Sequence, residues 1–275
     1  MNPVILSLAV IWPVIPLART SAAWNNPAMG RLDEALVEKG LVPSREQAKR
    51  AVLAGRVLVN GQLARKPSDP VKPHDEVAVS VPEKFVSRGG QKLEHGLNQF
   101  GIDVSGMVAI DLGASTGGFT DCLLQRGVAR VYAVDVGKGQ LAWKLRCDAR
   151  VVVMEKTNAR ELTPGRFPQP FDAVDLVVAD CSFISLRKIL PAAVALLRTC
   201  GKIVALIKPQ FEAGKVEADR GAGVIRDPAV HERVLKELEQ FVVEELRLGW
   251  RGHVESPVLG PAGNKEFLAF IEKLG

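Results

Sequence analysis

Cysteine and histidine are scarce in this sequence of 275 residues, which has four of each. The cysteines Cys122, Cys147, Cys181 and Cys200 show no C-x-x-C spacing, and the histidines are equally scattered. A disulfide framework or a zinc site needs such residues in closely spaced sets. We therefore expect a reduced, cytoplasmic chain that binds no metal.

The sequence also lacks an apolar run long enough to span a membrane. Its most apolar stretch, residues 4–18, contains Pro13 and Pro16 and is shorter than the roughly 20 residues that a bilayer requires. The stretch has no basic start of the kind that precedes a signal-peptide core. Helical patterning begins only after Met29, which predicts that residues 1–28 are a non-native or disordered leader. No membrane partner is expected.

The length and charge distribution indicate two domains with different tasks. The chain is longer than the roughly 100–150 residues typical of one domain. It has 47% hydrophobic residues, which is enough for a sizeable core. Residues 31–92 hold 12 Lys and Arg against 8 Asp and Glu, Arg19 adds one positive charge, and the remainder is balanced. This asymmetry favours a polyanion as partner of the front domain, although a well-solvated lysine-rich surface would have the same composition.

Two helices and a β-hairpin are predicted in the front domain. Leu32, Ala35 and Leu36 share one helical face, and Ser44 caps a second helix that buries Ala48, Ala51 and Val52. A strand from Arg56 then turns at Asn60-Gly61, a strong hairpin signal, and residues 75–81 close the domain as an alternating strand.

The segments RLDEAL, SREQAKRAVLAGRVLVNG and KPHDEVAV resemble the S-four-type RNA-binding domain, over residues 29–82. The resemblance implies that cations of this region contact RNA phosphates, which supply salt-dependent affinity but little sequence information. An ordinary charged helix surface is the alternative. The candidate RNA-binding residues are Arg31, Arg45, Lys49, Arg50 and Arg56, with Arg88 just beyond the domain.

Residues 83–92 are predicted to be a linker. Gly89 and Gly90 loosen this segment, and Leu93, Leu97 and Phe100 at helical spacing begin the next unit. The second domain then covers residues 93–275.

The second domain alternates strand-like and helix-like segments, with helices expected from Gln140 and from Ser185 among others. This alternation is typical of a doubly wound parallel α/β sheet with helices on both faces. Ligands of such sheets bind outside the carboxyl ends of the strands. Charged residues lie where five apolar runs end, namely Asp111, Asp135, Glu155, Asp180 and Lys208.

The segment VAIDLGASTGGFTD, residues 108–121, combines a strand end with a glycine-rich turn. Gly113, Gly117 and Gly118 allow the backbone to approach a ligand closely. Asp135 follows Gly113 by 22 residues, near the roughly 20-residue offset at which a carboxylate meets a ribose in nucleotide-binding units. The spacing predicts a nucleotide-type cofactor.

A serine hydrolase is the competing interpretation of this loop. Residues 113–117 fit G-x-S-x-G, with Ser115 as nucleophile and His231 or His253 as its base. The nucleophile elbow does not require an acid before the loop or a carboxylate after the next strand, so a cofactor loop explains more of the pattern.

Five longer motifs resemble the TlyA or "hemolysin A" family, which is similar to the RrmJ/FtsJ-type methyltransferases. They are EKTNAR at 155–160, VVADCSFISL at 177–186, IVALIKPQFEAGK at 203–215, GVIRDPAVHERV at 223–234 and SPVLGPAGNKEFL at 256–268. The resemblance implies a Rossmann-like methyltransferase sheet whose last strand is antiparallel. It also implies 2′-O-methylation of ribose, with cytidine of ribosomal RNA or a ribosomal subunit as substrate and S-adenosylmethionine as cofactor.

The same resemblance implies the roles of individual residues. It assigns the catalytic set to Lys92, Asp180, Lys208 and Glu266, with Lys208 as candidate base. Cofactor binding would involve Asp111, Gly113, Ser115, Thr116, Gly117, Gly118 and Phe119 around the methionine portion, Asp135 at the ribose and Asn158 near the adenine.

These residue types suit methyl transfer to a hydroxyl group, which is a poor nucleophile until its proton is drawn off. Asp180 and Glu266 are expected to orient the two lysines and the target ribose. An alternative from another class is an RNA-binding ribosome-assembly factor without catalysis, which binding of the cofactor would argue against.

Overall fold

The computed structural model describes residues 30–80, 83–214, 217 and 221–275. The chain divides into two compact units, with the boundary between Pro82 and Glu83. We call them the small unit and the large unit. The predicted leader, residues 1–28, lies outside the described residues.

In its described part, residues 30–80, the small unit has two helices and two small antiparallel sheets, one pairing β1 with β4 and one in the order β3-β2-β5. Its elements are β1 (Gly30–Arg31), α1 (Leu32–Glu38), α2 (Arg45–Leu53), β2 (Val57–Val59), β3 (Gln62–Leu63), β4 (Pro70–Val71) and β5 (Val77–Val79).

Local sequence explains these elements. Ser44 begins α2 by accepting a hydrogen bond from the backbone of Gln47, as a helix cap does. Asn60 and Gly61 both have positive φ, the conformation of a tight hairpin turn between β2 and β3. The buried residues are those on the predicted inward faces, including Leu32, Ala48 and Val52.

The large unit is built on a seven-stranded sheet in the order β11-β12-β10-β9-β6-β7-β8. Its strands are β6 (Val108–Leu112), β7 (Arg130–Val134), β8 (Val151–Met154), β9 (Val174–Ala179), β10 (Leu197–Ile207), β11 (Gly249–Glu255) and β12 (Phe267–Glu272). The strands from β8 to β10 across the sheet are parallel, whereas β12 is antiparallel to both of its neighbours. The predicted antiparallel last strand is thus confirmed.

Helices cover both faces of this sheet, so the predicted fold class is confirmed. They are α3 (Gly89–Gln99), α4 (Gly118–Gln125), α5 (Trp143–Arg146), α6 (Leu190–Leu196), α7 (Pro209–Glu212) and α8 (Pro228–Gln240). One core cluster joins the sheet to α3 and α4 through residues such as Leu93 and Leu123. The other joins it to α6 and α8 through residues such as Leu190 and Leu238.

The strand order predicts that ligands bind where the carboxyl ends of β6 and β9 lie side by side, and we call this the functional edge of the sheet. From β6 the chain continues to β7 and β8 on one side, and it returns to β9 and β10 on the other. Crevices form at such a reversal outside the carboxyl ends of the strands. The carboxyl ends of β6, β9 and β10 therefore lie together.

Residues 83–92 are not a linker, in contrast to the sequence prediction. They lie within the large unit, where Phe85 is buried in the core and α3 begins at Gly89. A Cβ atom at Gly90 would lie 2.3 Å from the Phe85 ring. Gly90 therefore permits close packing, whereas the sequence suggested flexibility.

Two predicted helices also differ from the structure. The helix expected from Gln140 begins at Trp143 and has four residues. The helix expected from Ser185 is split into a 3₁₀ turn, Leu186–Lys188, and α6 from Leu190. Ser185 does cap the turn, since its side chain accepts a hydrogen bond from Arg187 N.

Candidate active site

A tight loop joins β6 to α4 at the functional edge. Gly113 in this loop has a φ of +82°, a conformation that other residues adopt only with strain. A Cβ atom at Gly113 would lie 2.7 Å from the carbonyl oxygen of Asp180. The loop after β6 therefore packs directly against the residue that follows β9.

Asp111 stabilises the loop from its buried side through hydrogen bonds with Thr120. Its Oδ2 accepts hydrogen bonds from the backbone N and the Oγ1 of Thr120, at 2.9 and 2.7 Å. The side chain is fully buried, and its Oδ1 has no hydrogen-bond partner among the described residues. Burial raises the pKa of Asp111 to about 7; the hydrogen bonds from Thr120 oppose this rise, and the nearby charges of Asp180 and Asp135 add to it.

Asp135, at the end of β7, holds the same loop from the other side. Its Oδ2 accepts a hydrogen bond from Ser115 N at 2.8 Å, and its Oδ1 accepts one from Gly137 N at 2.7 Å. Ser115 has a φ of +48°, in the left-handed region. Two carboxylates at neighbouring strand ends thus fix the shape of the loop.

A cavity of about 250 Å³ opens beside the loop, and we call it the main cavity. It is lined by Ser87, Arg88, Gly89, Lys92, Gly113, Ala114, Ser115, Thr116, Gly118, Phe119, Asp180, Ser182, Lys208, Pro261 and Glu266. These residues come from the segment before α3 and its first turn, the glycine loop and the start of α4, the carboxyl ends of β9 and β10, and the loop before β12. All of them belong to the large unit.

Lys208 lies at the carboxyl end of β10, and only 7% of its surface is exposed. Its Nζ is 2.6 Å from Asp180 Oδ1 and donates a hydrogen bond to Ser182 Oγ at 2.8 Å. The contact with Asp180 is an ion pair without hydrogen-bond alignment, because Oδ1 has no aligned donor among the described residues. The amine therefore faces one carboxylate and one hydroxyl on the cavity wall.

Lys92 and Glu266 form a second buried pair on the same wall. Lys92 comes from α3, and its Nζ donates a hydrogen bond to Glu266 Oε2 at 2.5 Å. Glu266 is 1% exposed, and its Oε1 has no partner within the described part of the chain. Two ammonium groups and two carboxylates thus face one small space and neutralise one another.

Gly118, at the start of α4, packs too closely against the protein to carry a side chain. A Cβ atom at Gly118 would lie 2.3 Å from Ser87 Oγ and 2.9 Å from Gly90 N. Any side chain at this position would therefore disturb the segment that carries Lys92. Gly113, Gly118 and the carboxylates of Asp180 and Glu266 all line the main cavity, which suits the cationic cofactor that the sequence predicted.

Comparisons with known proteins agree with this geometry. The FtsJ-like methyltransferase family matches residues 85–273, which include the whole main cavity, and the S4 domain matches residues 30–77. The 16S/23S rRNA (cytidine-2′-O)-methyltransferase TlyA of Mycobacterium tuberculosis is 47% identical over 88% of this chain and 89% of that protein. The chain belongs to the TlyA family of FtsJ-like methyltransferases.

Two further relatives agree with this family membership. Hemolysin A of Brachyspira hyodysenteriae is 41% identical over 87% of this chain and 98% of its own length. The solved structure of a hemolysin-named protein from Streptococcus thermophilus superposes with a TM-score of 0.68 and is 44% identical, covering 90% of each chain. The family predicted from the sequence motifs is thus confirmed over both units.

The structure brings the four residues of the predicted catalytic set together. Lys92, Asp180, Lys208 and Glu266 all line the main cavity, although 174 positions separate the first from the last. They form two ion pairs, Lys208 with Asp180 and Lys92 with Glu266. The sequence allowed an ion pair between Asp180 and Lys208 at the strand ends, whereas it gave no basis for pairing Lys92 with Glu266.

The predicted cofactor residues divide into two groups. Gly113, Ser115, Thr116, Gly118 and Phe119 line the main cavity. Asp111, Gly117, Asp135 and Asn158 do not line it, so the predicted ribose and adenine residues lie outside this cavity.

Gly117 and Asn158 have local structural contacts instead. Gly117 has a φ of +96°, and a Cβ atom there would lie 2.2 Å from a side-chain atom of Leu145. Asn158 caps a short 3₁₀ turn, because its Oδ1 accepts a hydrogen bond from Arg160 N and its Nδ2 donates to Glu161.

Sequence reasoning missed several residues of the cavity wall, namely Ser87, Gly89, Ala114, Ser182 and Pro261. Ser182 is the most consequential of them, because it contacts Lys208 directly. Its position two residues after a strand-end acid could have signalled a cavity location. Ser87 and Gly89 were hidden by the assignment of their segment to a linker.

The hydrolase interpretation of Ser115 finds no base in the structure. No histidine is among the residues that line the main cavity. His231 is buried on α8, where its Nε2 lies 3.1 Å from the carbonyl oxygen of Ile225, and His253 lies on β11. A G-x-S-x-G nucleophile needs a histidine within hydrogen-bond reach, so the loop is better explained as a cofactor loop.

Three candidate RNA-binding residues of the small unit are paired with acids. Arg31 and Arg45 both contact Asp33, at 2.9 and 3.2 Å, and Arg45 also contacts Glu34. Burial favours a higher pKa for Asp33, but the hydrogen bonds from the two arginines outweigh it and hold the pKa below its usual value. Arg50 pairs with Glu46.

Three other candidates present their charge differently. Within residues 30–80, the side chains of Lys49 and Arg56 have no acidic partner within ion-pair distance, and Lys49 is exposed on α2. Arg88 belongs to the large unit, where it is exposed and lines the main cavity. Arg88 therefore presents its charge at the main cavity.

Over residues 30–80, 83–214, 217 and 221–275, no group of three or more His, Cys, Asp or Glu is arranged to hold a metal ion. None of the helices in those ranges is both long and apolar enough to cross a bilayer.

Proposed function

We propose that this protein transfers a methyl group from S-adenosylmethionine to a ribose 2′-hydroxyl of ribosomal RNA. The methylated nucleotide is a cytidine, and the substrate is a ribosomal subunit in the cytoplasm. The observation that carries the proposal is the convergence of Lys208, Asp180, Lys92 and Glu266 on one cavity beside a glycine loop. The names of the relatives supply the class of substrate, and the S4 domain suits an RNA partner.

Lys208 is the residue that would take the proton from the ribose hydroxyl. The cofactor would supply an electrophilic methyl group on a sulfonium, whose positive charge opposes the ammonium form of a nearby lysine. Asp180 fixes the Lys208 amine, and Lys92 held by Glu266 offers hydrogen-bond donors to the ribose oxygens. The two pairs then hold the nucleophile in line with the methyl group, which requires an approach of about 3–3.5 Å.

The glycine loop and the strand-end acids would hold the cofactor. Gly113, Ser115, Thr116, Gly118 and Phe119 would surround its methionine portion, while Asp111 keeps the loop in shape from behind. Asp135 and Asn158, which do not line the main cavity, would contact its ribose and its adenine. The carboxylate of Asp135 retains lone pairs for such contacts beyond its two backbone hydrogen bonds.

The small unit would supply affinity for RNA through phosphate contacts. Lys49 and Arg56 are the first candidates, because no acid neutralises them within the small unit as described. Arg31, Arg45 and Arg50 would bind phosphate either by leaving their ion pairs with Asp33, Glu34 and Glu46 or while keeping them. Arg88 would contact the RNA backbone next to the target ribose.

Methyl transfer to separated ribosomal subunits tests the proposal. Each subunit is incubated with the protein and radiolabelled S-adenosylmethionine, and the labelled RNA is then hydrolysed with alkali. A 2′-O-methyl group blocks cleavage at its own linkage, so label in an alkali-resistant dinucleotide is the expected result. Binding of RNA without transfer of label would instead favour an assembly factor without catalysis.

A further inference from the structure

Ser182 contacts the amine that the proposed function uses as its base. Its Oγ accepts a hydrogen bond from Lys208 Nζ at 2.8 Å, while Asp180 Oδ1 lies 2.6 Å from the same nitrogen. The side chain lines the main cavity and is exposed to it.

The backbone around Ser182 is anchored on both sides. Asp180 N donates a hydrogen bond to Leu112 O at 2.9 Å, which ties the segment to β6. On the other side, Ser185 Oγ and Leu186 N donate to the carboxylate of Glu212, at 2.6 and 2.8 Å. The segment that carries Ser182 is therefore held at both ends, and the hydrogen bond with Lys208 places the hydroxyl itself.

The two contacts fix the orientation of the Lys208 amine. A lysine nitrogen is tetrahedral, with its Cε at one corner and three corners left for hydrogens or a lone pair. Ser182 occupies one of these corners as a hydrogen-bond acceptor, while the charge of Asp180 lies beside the nitrogen without hydrogen-bond alignment. In a neutral amine Ser182 then engages one N–H group, and repulsion from the Asp180 carboxylate turns the lone pair toward the cavity.

Several charged groups lie around the Lys208 amine, although not all of them face it. Asp180 is its ion-pair partner, and the Lys92–Glu266 pair and Arg88 lie on the same cavity wall. Asp111 is buried behind the glycine loop and interacts electrostatically with Asp180. Glu212, on α7, is turned toward Ser185 and Leu186.

We propose that Ser182 is a positioning residue that aims the lone pair of Lys208 at the ribose hydroxyl. This inference rests on the proposed function and adds a specific role to a residue of the same site. In the step itself, the 2′-O–H bond breaks and its proton goes to Lys208 Nζ, which becomes an ammonium. The oxygen forms its bond to the methyl carbon, and the electron pair of the C–S bond leaves with sulfur. Ser182 gains and loses nothing and keeps its hydrogen bond throughout.

Ser182→Ala tests the inference. Without one acceptor the amine can rotate, so we expect kcat to fall roughly ten- to hundredfold while cofactor affinity and the KM for RNA stay near the wild-type values. An ammonium makes stronger hydrogen bonds than a neutral amine, so losing the acceptor weakens the ammonium form more. The acidic limb of the kcat profile should therefore move to lower pH.

Ser182→Thr is the matched control, because it keeps the hydroxyl at an exposed position with room for a methyl group. It should retain most of kcat and the wild-type pH profile. Asp111, which titrates near pH 7, is the same in every variant and affects each profile alike. The measurements are single-turnover methyl transfer between pH 5 and 9 and calorimetric titration of the cofactor.

The outcomes separate this inference from the proposed function. A wild-type protein that transfers no methyl group to any subunit would overturn the proposed function and this inference with it. An active wild type with an equally active Ser182→Ala, or with Ala and Thr variants impaired alike, would overturn the positioning role alone. A fall in kcat limited to the Ala variant, together with the displaced acidic limb, would support it.

Discussion

At the scale of single residues, Asp111 shows how a strand-end acid serves a site without lining it. The sequence predicts contact with the cofactor, yet the carboxyl is fully buried and holds Thr120 at the start of α4. A buried carboxylate with one unpartnered oxygen is costly in its ionised form. Folding therefore favours its neutral form, and stability should depend on pH.

The first prediction concerns this pH dependence. The pKa of Asp111 is about 7 in the folded state and near 3.8 when unfolded, so the folded state binds more protons between these values. The stabilising contribution of this site is thus fully present below about pH 4. It falls by about 1.4 kcal/mol for each pH unit between the two pKa values and is lost once the pH has risen through 7. Asp111→Asn should remove this fall, as measured by urea unfolding at several pH values between 5 and 8.

The asparagine retains an oxygen that can accept the hydrogen bond from Thr120 N, so the loop should keep its shape. Asp172→Asn serves as a control, because Asp172 is exposed on the surface of the large unit. If Asp111→Asn and the wild type lose stability equally over this range, the carboxyl is not the source of the dependence.

The second prediction concerns Lys208. Its alanine variant removes the proton acceptor but leaves the glycine loop intact, so we expect cofactor binding within about threefold of wild type and transfer reduced at least a hundredfold. Lys236→Ala, on the exposed side of α8, should leave both unchanged. Calorimetry and methyl transfer to ribosomal subunits measure the two properties. Equal loss of binding and transfer would indicate that Lys208 is needed for folding.

At the scale of elements, the site depends on how two strand ends are joined. Asp180 and Ser182 follow β9, and Lys208 follows β10. The contacts of Lys208 with these two residues therefore require the segment after β9 and the segment after β10 to be held together. Glu212, at the end of α7, makes this connection by accepting hydrogen bonds from Ser185 Oγ and Leu186 N. Burial raises the pKa of Glu212, whereas these hydrogen bonds favour its charged form.

The third prediction is that loss of this connection lowers activity more than stability. Glu212→Ala removes two hydrogen bonds, each contributing on the order of 1 kcal/mol, and frees the segment after β9. We expect kcat to fall at least tenfold with a smaller change in cofactor affinity. Glu212→Gln keeps one acceptor oxygen and should recover part of kcat. Unfolding in urea and initial rates of transfer provide the comparison, and full activity of Glu212→Ala would contradict it.

At the scale of the whole molecule, positive charge and chemistry are divided between the two units. The net excess of cations lies before residue 93, whereas the site that holds two ion pairs lies in the large unit. Among residues 30–80, acids neutralise Arg31, Arg45 and Arg50 but not Lys49. The charge that is available to RNA is therefore smaller than the sequence count suggests.

The fourth prediction compares two neighbouring cations of α2. Lys49→Ala should weaken RNA binding and reduce the slope of log K against log salt by about 0.7–0.9, the value for one lost phosphate contact. Arg50→Ala should have a smaller effect, because Arg50 pairs with Glu46 in the free protein. Binding of ribosomal RNA at several salt concentrations measures both slopes. Equal slopes for the two variants would show that the pairing does not matter once RNA is bound.

Several features of this protein follow from its sequence alone. Local chemistry determines the cap at Ser44, the turn at Asn60-Gly61 and the alternation of strands and helices, because each depends on residues close together in the chain. The strand-end position of Asp111, Asp180 and Lys208 follows from where apolar runs stop. The family motifs then supply the catalytic residue types and the expected cofactor.

Only the tertiary structure decides which of these residues meet. It pairs Lys208 with Asp180 and Lys92 with Glu266, adds Ser182 to the first pair, and draws residues 83–92 into the large unit. It also places Asp111 behind the loop and Asp135 and Asn158 outside the main cavity. Contacts between residues far apart in the chain depend on strand order and packing, which no local pattern of residues encodes.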